Sequence, residues 1–305
     1  MQGKIKFRTH GRTPHALRTD NAGMRKRQKM KNLTVCILVS ILAAGCTNEF
    51  NAVYKSDNYE YKYEFAKQCF ARGKYTQSAA LLGELVTIYK GTDNAEESLY
   101  MYAMSLYRSS DFEAASDAFR KCCTSYPKGT YTESAYFYVA ESLYESSPEP
   151  RLDQSPTLAA IKAYQDFLDI FPRSRRRQDA QARMLELQDK LVMKEYYNAK
   201  LYYNLGTYFG NCLSGGSNYE ACIITAENAL KDYPYMDKRE DFALLIMKSK
   251  YYLAVHSIES RRQERFQNAE DECYGFINEY PDSKERDTAE KFIAVCKKYT
   301  GGTNE

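Results

Sequence analysis

The side chains able to do chemistry are few, and their spacing favours binding over bond-making. Of three histidines, His10 and His15 fall in a leader segment, which leaves His256 without a second histidine for a metal site or a catalytic triad. No HExxH, GxSxG or P-loop glycine pattern is present. The carboxylate pairs Glu96-Glu97 and Asp271-Glu272 stand among bases on helical stretches, as solvated surface does. The expectation is therefore no enzyme: no catalytic residue, no metal and no cofactor. Seven cysteines follow Cys46, an odd number without a CxxC, which supports neither a zinc site nor a disulfide framework. Most occupy helical core positions, where cysteine packs as a small hydrophobe.

Cys46 is the cysteine with a reaction of its own. A basic run, Met24-Arg-Lys-Arg-Gln-Lys-Met-Lys-Asn, precedes the apolar stretch from Leu33 to Ala44. Twelve residues rise only about 18 Å as a helix, too short for a bilayer core, so the stretch is a secretory signal. Leu42-Ala43-Ala44-Gly45-Cys46 has the form of a lipobox, although Ala43 stands where leucine is favoured. Residues 1–45 are thus the signal peptide, with 1–29 a start-site extension if Met30 is the first residue. Cys46 becomes the lipid attachment site, and the membrane is reached through that anchor only. The leader carries ten Lys/Arg against one acid, leaving 33 bases and 39 acids, a net −6, in residues 46–305. An acidic chain without a basic stripe argues against nucleic acid.

The elements that position everything else are helical repeats. Tyr126-Pro127, Phe171-Pro172, Tyr233-Pro234 and Tyr280-Pro281 each end a helical pattern, since proline blocks continuation. Thr130, Ser174 and Ser283 follow as N-cap candidates. Steps of 37 residues align Tyr63, Tyr100 and Phe137; Ala66, Ala103 and Ala140; Cys69, Leu106 and Leu143; Phe70, Tyr107 and Tyr144. Within a unit these lie at i, i+3, i+6 and i+7, one side of a helix. Small and large residues then alternate through the second helix of each unit, as in Ser78, Leu82, Leu85 and Ala115, Phe119, Cys122. This is a tetratricopeptide pattern. The fold expected is all-α, a solenoid of about five helix-turn-helix repeats with a C-terminal capping helix.

In that solenoid residues 46–57 form the lipid-anchored linker, 58–172 the N-terminal repeats 1–3, 173–299 the C-terminal repeats 4–5 with the cap, and 300–305 a tail. The third unit breaks at Ser146 to Pro156 and resumes with a helix from Thr157 to Phe171. Arg173 to Leu205 lacks Gly and Pro and predicts one long helix. Asn211 to Asn218, with Gly215-Gly216, predicts an inserted loop. Later helices are expected from Tyr219 to Tyr233, within Asp241 to Tyr280, and from Asp287 to Tyr299. First helices of such repeats line a concave face. Tyr63, Phe70, Tyr100, Tyr107, Phe137 and Tyr144 are therefore candidates for an aromatic groove, with Arg72 and Arg108 placed to meet a carboxylate. The alternative is that these aromatics only pack helix on helix.

Three segments carry a family resemblance: Asp153-Gln-Ser-Pro-Thr157 with Ala160 to Leu168, Leu187-Gln-Asp-Lys-Leu191 with Tyr197 to Tyr203, and Arg262-Gln-Glu-Arg-Phe266. Together with the lipobox and repeats, residues 50–298 resemble the BamD family, lipoproteins of the outer-membrane β-barrel assembly machinery. The resemblance implies a scaffold on the periplasmic side of the outer membrane. It would bind the POTRA domains of BamA, and other subunits of the machinery, mainly through later repeats. Its N-terminal repeats would receive C-terminal segments of unfolded outer-membrane proteins. Contact residues for BamA do not transfer, because no short motif fixes them here. Thr47-Asn48-Glu49 lacks an acidic run and favours the periplasmic face. A different repeat lipoprotein, scaffolding peptidoglycan enzymes or Tol-type complexes, is the alternative.

Overall fold

A computed structural model describes residues 49–208 and 217–301. The expected signal segment 1–45, the lipid-site candidate Cys46, Cys212 and the Gly215-Gly216 stretch lie outside the described residues. Among the described residues all regular structure is helical, with no strand. The chain separates into two compact units, one ending at Ile88 and one starting at Tyr89.

In the first unit residues 49–54 are helical, followed by α1 (Tyr59–Ala71) and α2 (Tyr75–Ile88), which pack together. Asn58 starts α1 by accepting a hydrogen bond from Tyr61 N at 3.0 Å. The helix ends in a left-handed residue, Gly73 at φ 74°, which lets Lys74 N reach the Cys69 carbonyl at 2.8 Å. Tyr63, Ala66 and Cys69 on α1 and Leu81, Leu82 and Leu85 on α2 are all buried where the two helices pack. At the crossing Ser78 Oγ donates to the Ala66 carbonyl at 3.0 Å, a closeness that only small residues allow. Lys62 is buried as well, its ammonium 2.7 Å from the Glu84 carboxylate.

The second unit holds α3 (Ala95–Arg108), α4 (Phe112–Ser125), α5 (Thr132–Ser146), α6 (Ser155–Ile170), α7 (Arg177–Leu205), α8 (Asn218–Asp232), α9 (Arg239–Val255), α10 (Glu259–Glu279) and α11 (Arg286–Thr300). Each packs on the next, and α7 also touches α5 and α9, as first helices of successive repeats do. Ser110, 37 residues after Gly73, repeats the left-handed turn at φ 65°, with Asp111 N bonded to the Leu106 carbonyl at 3.0 Å. Asp111 then caps α4 through Ala114 N.

The aromatic-proline turns share one geometry. Tyr126, Phe171, Tyr233 and Tyr280 are C-caps with φ of −130°, −121°, −126° and −125°. Five residues beyond three of the prolines, Arg177, Arg239 and Arg286 open the following helix. Each donates Nη1 back to the proline carbonyl, at 3.4, 3.1 and 3.3 Å. In the first such turn Thr132 takes that place, with Oγ1 on the Tyr126 carbonyl. The hydroxyls of Ser174 and Ser283 act one turn ahead of the helices, accepting from Arg176 N and Glu285 N. Asn218, expected at the end of a loop, is the first residue of α8; its side-chain amide holds the Gly206 and Tyr208 carbonyls. The last helix covers the end of the stack: Ile293 and Cys296 are buried against α9 and α10, and Phe292 stacks on Tyr251 at 3.7 Å.

The cysteines behave as packing residues. Cys69, Cys122, Cys123, Cys222, Cys273 and Cys296 are free thiols in the core, and burial pushes Cys122 and Cys273 up to about 12. Ala103 and Ala140 are fully buried, as their column requires. Ala103→Leu should overpack α3 against α4 and cost about 1–3 kcal/mol, read as a lower urea midpoint. An unchanged midpoint would show that the 37-residue register is misplaced.

Candidate functional site

The two aromatic columns fall in both units. In the first, Tyr63 is 3% exposed with the Lys67 ammonium 5.0 Å from its ring centre. Phe70 is half-buried, edge-on to Tyr75 at 5.4 Å, where it closes the turn into α2. Arg72 is exposed and caps α1 through its backbone.

In the second unit Tyr100 stacks on Tyr131 at 4.6 Å and meets Phe119 edge-on. Tyr107 lies edge-on to Phe112 and Tyr138. Both are half-buried, and burial raises both hydroxyls to about 12; for Tyr107 the carboxylates of Glu141 and Glu145 add to it. Arg108 ends α3, exposed, and it makes no ion pair among the described residues. Phe137 is 7% exposed, packed edge-on against Tyr164 and Phe167 and covered by the Arg176 guanidinium at 4.8 Å. Tyr144 donates to the Glu186 carboxylate and accepts from Arg183 Nη1 at 2.9 Å.

These placements divide the columns. Tyr63 and Phe137 are core residues with almost no surface to offer a ligand. Tyr100, Tyr107 and Tyr144 are only half-buried, and around the last two lies a polar cluster that periodicity did not single out. Glu141 is buried, accepts from the Tyr164 hydroxyl, and lies 3.8 Å from Arg183 Nε. Arg183 also reaches Glu186 at 3.1 Å and covers the Tyr144 ring at 4.4 Å. One signal was present: 37 residues before Glu141 stands Met104, a buried position, and a carboxylate in a buried register needs a cation and a donor.

Among the described residues no helix is long and apolar enough to cross a membrane. Residues 55–253 match the family described as YfiO, outer membrane lipoprotein. This chain belongs to the YfiO family. A relative in Rickettsia prowazekii (strain Madrid E), named outer membrane protein assembly factor BamD, is 21% identical over 172 residues, 56% of this chain and 68% of the relative. The matched span of the YfiO-family chain runs from before α1 into the last turn of α9, so it includes every candidate groove residue. At family level the protein is an outer membrane lipoprotein.

Proposed function

We propose that this YfiO-family protein is a non-catalytic scaffold, lipid-anchored through Cys46 and facing the periplasm, that helps other outer-membrane proteins insert and fold. The observation that carries the reading is the family match across the repeats, supported by the name of the relative. In this reading the later repeats bind the POTRA region of BamA, and the first helices receive C-terminal segments of unfolded barrels. Copurification from membranes tests the first half. BamA in the eluate supports it; peptidoglycan enzymes or Tol components in its place would overturn it.

The second half rests on Tyr100, Tyr107 and Arg108. A peptide ending in an aromatic residue offers a ring to the half-buried tyrosines and a carboxylate to an arginine that makes no ion pair among the described residues. Arg108→Glu should weaken such a peptide about tenfold, about 1.4 kcal/mol. Amidating the peptide should do the same to the wild type and little more to the variant, because both changes remove one contact. BamA binding should persist. Calorimetric titration with free-acid and amidated peptides decides it: equal wild-type affinities would leave the tyrosines as packing alone.

A further inference from the structure

Within the second unit, the loop between α5 and α6 and the later half of α7 enclose an open cleft of about 420 Å³. Arg151, Lys194, Tyr197, Lys200, Leu201 and Asn204 line it, with three cations and no acid. On α7 the positions 194, 197, 201 and 204 recur at helical spacing, so they form one face.

Other cations of α7 are engaged inside the protein. Arg183 is held by Glu186, and Lys190 donates to the Ser147 carbonyl and hydroxyl at 3.3 and 2.7 Å. Arg151, Lys194 and Lys200 make no ion pair among the described residues; the Arg151 guanidinium lies 4.6 Å above the Tyr197 ring, and Lys200 lies 5.5 Å above Tyr196.

The backbone of the loop that carries Arg151 is tied down on both sides of it. Gln154, 2% exposed, donates to the carbonyls of Glu149 and Leu152 at 2.8 and 3.2 Å and accepts from Thr157 Oγ1 at 2.7 Å. Thr157 in turn meets Ser147 Oγ at 2.6 Å, and Lys190 ties Ser147 to α7. Pro148 and Pro150 fix their own φ. A preformed cationic cleft spares a ligand much of the ordering cost. Residues 46–305 carry a net charge of −6, yet the lining of this cleft holds three cations and no acid, and charge complementarity calls for carboxylates. Leu201, 55% exposed at the rim, adds apolar surface that a bare anion would leave wet.

We propose that this cleft docks an acidic peptide segment of a partner protein, whose carboxylates pair with Arg151, Lys194 and Lys200 while an apolar side chain covers Leu201. The site is separate from the tyrosines of α3 and does not depend on their binding anything.

The test is fluorescence polarisation of the full chain with a dye-labelled, C-terminally amidated peptide, Gly-Glu-Leu-Glu-Tyr-Gly. Arg151→Gln with Lys194→Gln should weaken binding about tenfold or more, as should raising salt from about 0.1 to about 0.5 M. Replacing the peptide leucine by glycine should weaken it several-fold, and Arg108→Glu should leave it unchanged. Both substituted side chains are solvent-accessible, and an unchanged circular dichroism spectrum confirms that the variant folds. No saturable wild-type binding below about 1 mM overturns the proposal. So does equal binding by the double variant, or displacement by inorganic phosphate with no dependence on the leucine, which would make the cleft a general anion site. Loss on Arg108→Glu alone would move the peptide to the α3 tyrosines and refute this cleft without touching the reading of those tyrosines.

Discussion

Phe119→Ala is expected to lower the stability of the second unit by about 3–5 kcal/mol, the usual cost of emptying a buried aromatic position. Phe119 is fully buried on α4, with Tyr100 edge-on at 5.8 Å and Tyr138 stacked at 5.5 Å. Its helical neighbours on the same face, Ala115 and Cys122, are also fully buried, so nothing adjacent can swing in to fill the void. Backbone relaxation is limited too, because α4 is packed on both α3 and α5. Urea unfolding followed by tyrosine fluorescence suits a chain with 28 tyrosines and no tryptophan. Tyr235→Ala, at a side chain 97% exposed, is the matched control and should stay within about 0.5 kcal/mol of the wild type. If Phe119→Ala also stayed within that margin, the ring would not be core, and the register linking Leu82 to Phe119 would fail.

That register is the part of the fold most legible in the sequence. A period of 37 with a small residue in one column and large residues in the others can be satisfied only by helices that repeat and cross closely. Ala66, Ala103 and Ala140 are all fully buried. The prolines fixed helix ends to within a residue or two: α6 ends at Ile170, α8 at Asp232 and α10 at Glu279. The start of α7 was less legible. Residues 173–205 contain no breaker, yet the helix begins only at Arg177, because Ser174 turns the chain first through its hydroxyl. Ser174 marked the place as an N-cap candidate, but its hydroxyl takes Arg176 N in a turn, and Arg176 becomes the N-cap.

The candidate site was legible only in outline. Periodicity says which face of a helix is apolar, and that face is the one most readily buried. Tyr63 and Phe137 went into the core for that reason, whereas Phe70, Tyr107 and Tyr144, at the other end of the same stripe, stayed half-exposed. Partners distant in sequence left fainter traces. The arginines that return to the proline carbonyls stand five residues on, a spacing with no helical or strand period. The bonds joining Tyr144 to Arg183 and Glu186 span about forty residues, and among the residues themselves only the misplaced charge of Glu141 hinted at them.

Cys46→Ser should abolish labelling of the protein by palmitate, the largest all-or-none effect expected. The proposal rests on the lipobox-like Leu42 to Cys46 stretch, expected to close a secretory signal at Gly45, and on family membership. Serine keeps the size of the side chain but cannot supply the sulfur nucleophile that takes the lipid group. Anchoring scales with the acyl methylenes buried, about 0.8 kcal/mol each, so a protein without them has no comparable hold on a bilayer. The variant should therefore appear in the soluble fraction, or remain as an uncleaved precursor whose apolar leader still retains it. Gel mobility separates the two, because the precursor keeps the leader. Cys36→Ser, inside the leader, and Cys69→Ser, inside the core of the first unit, are the controls and should label normally. Unchanged labelling of Cys46→Ser would remove the anchor from Cys46. Loss of labelling in Cys69→Ser with retention in Cys46→Ser would place the acyl group on a core thiol, which the burial of Cys69 and the raised pKa that follows from it oppose.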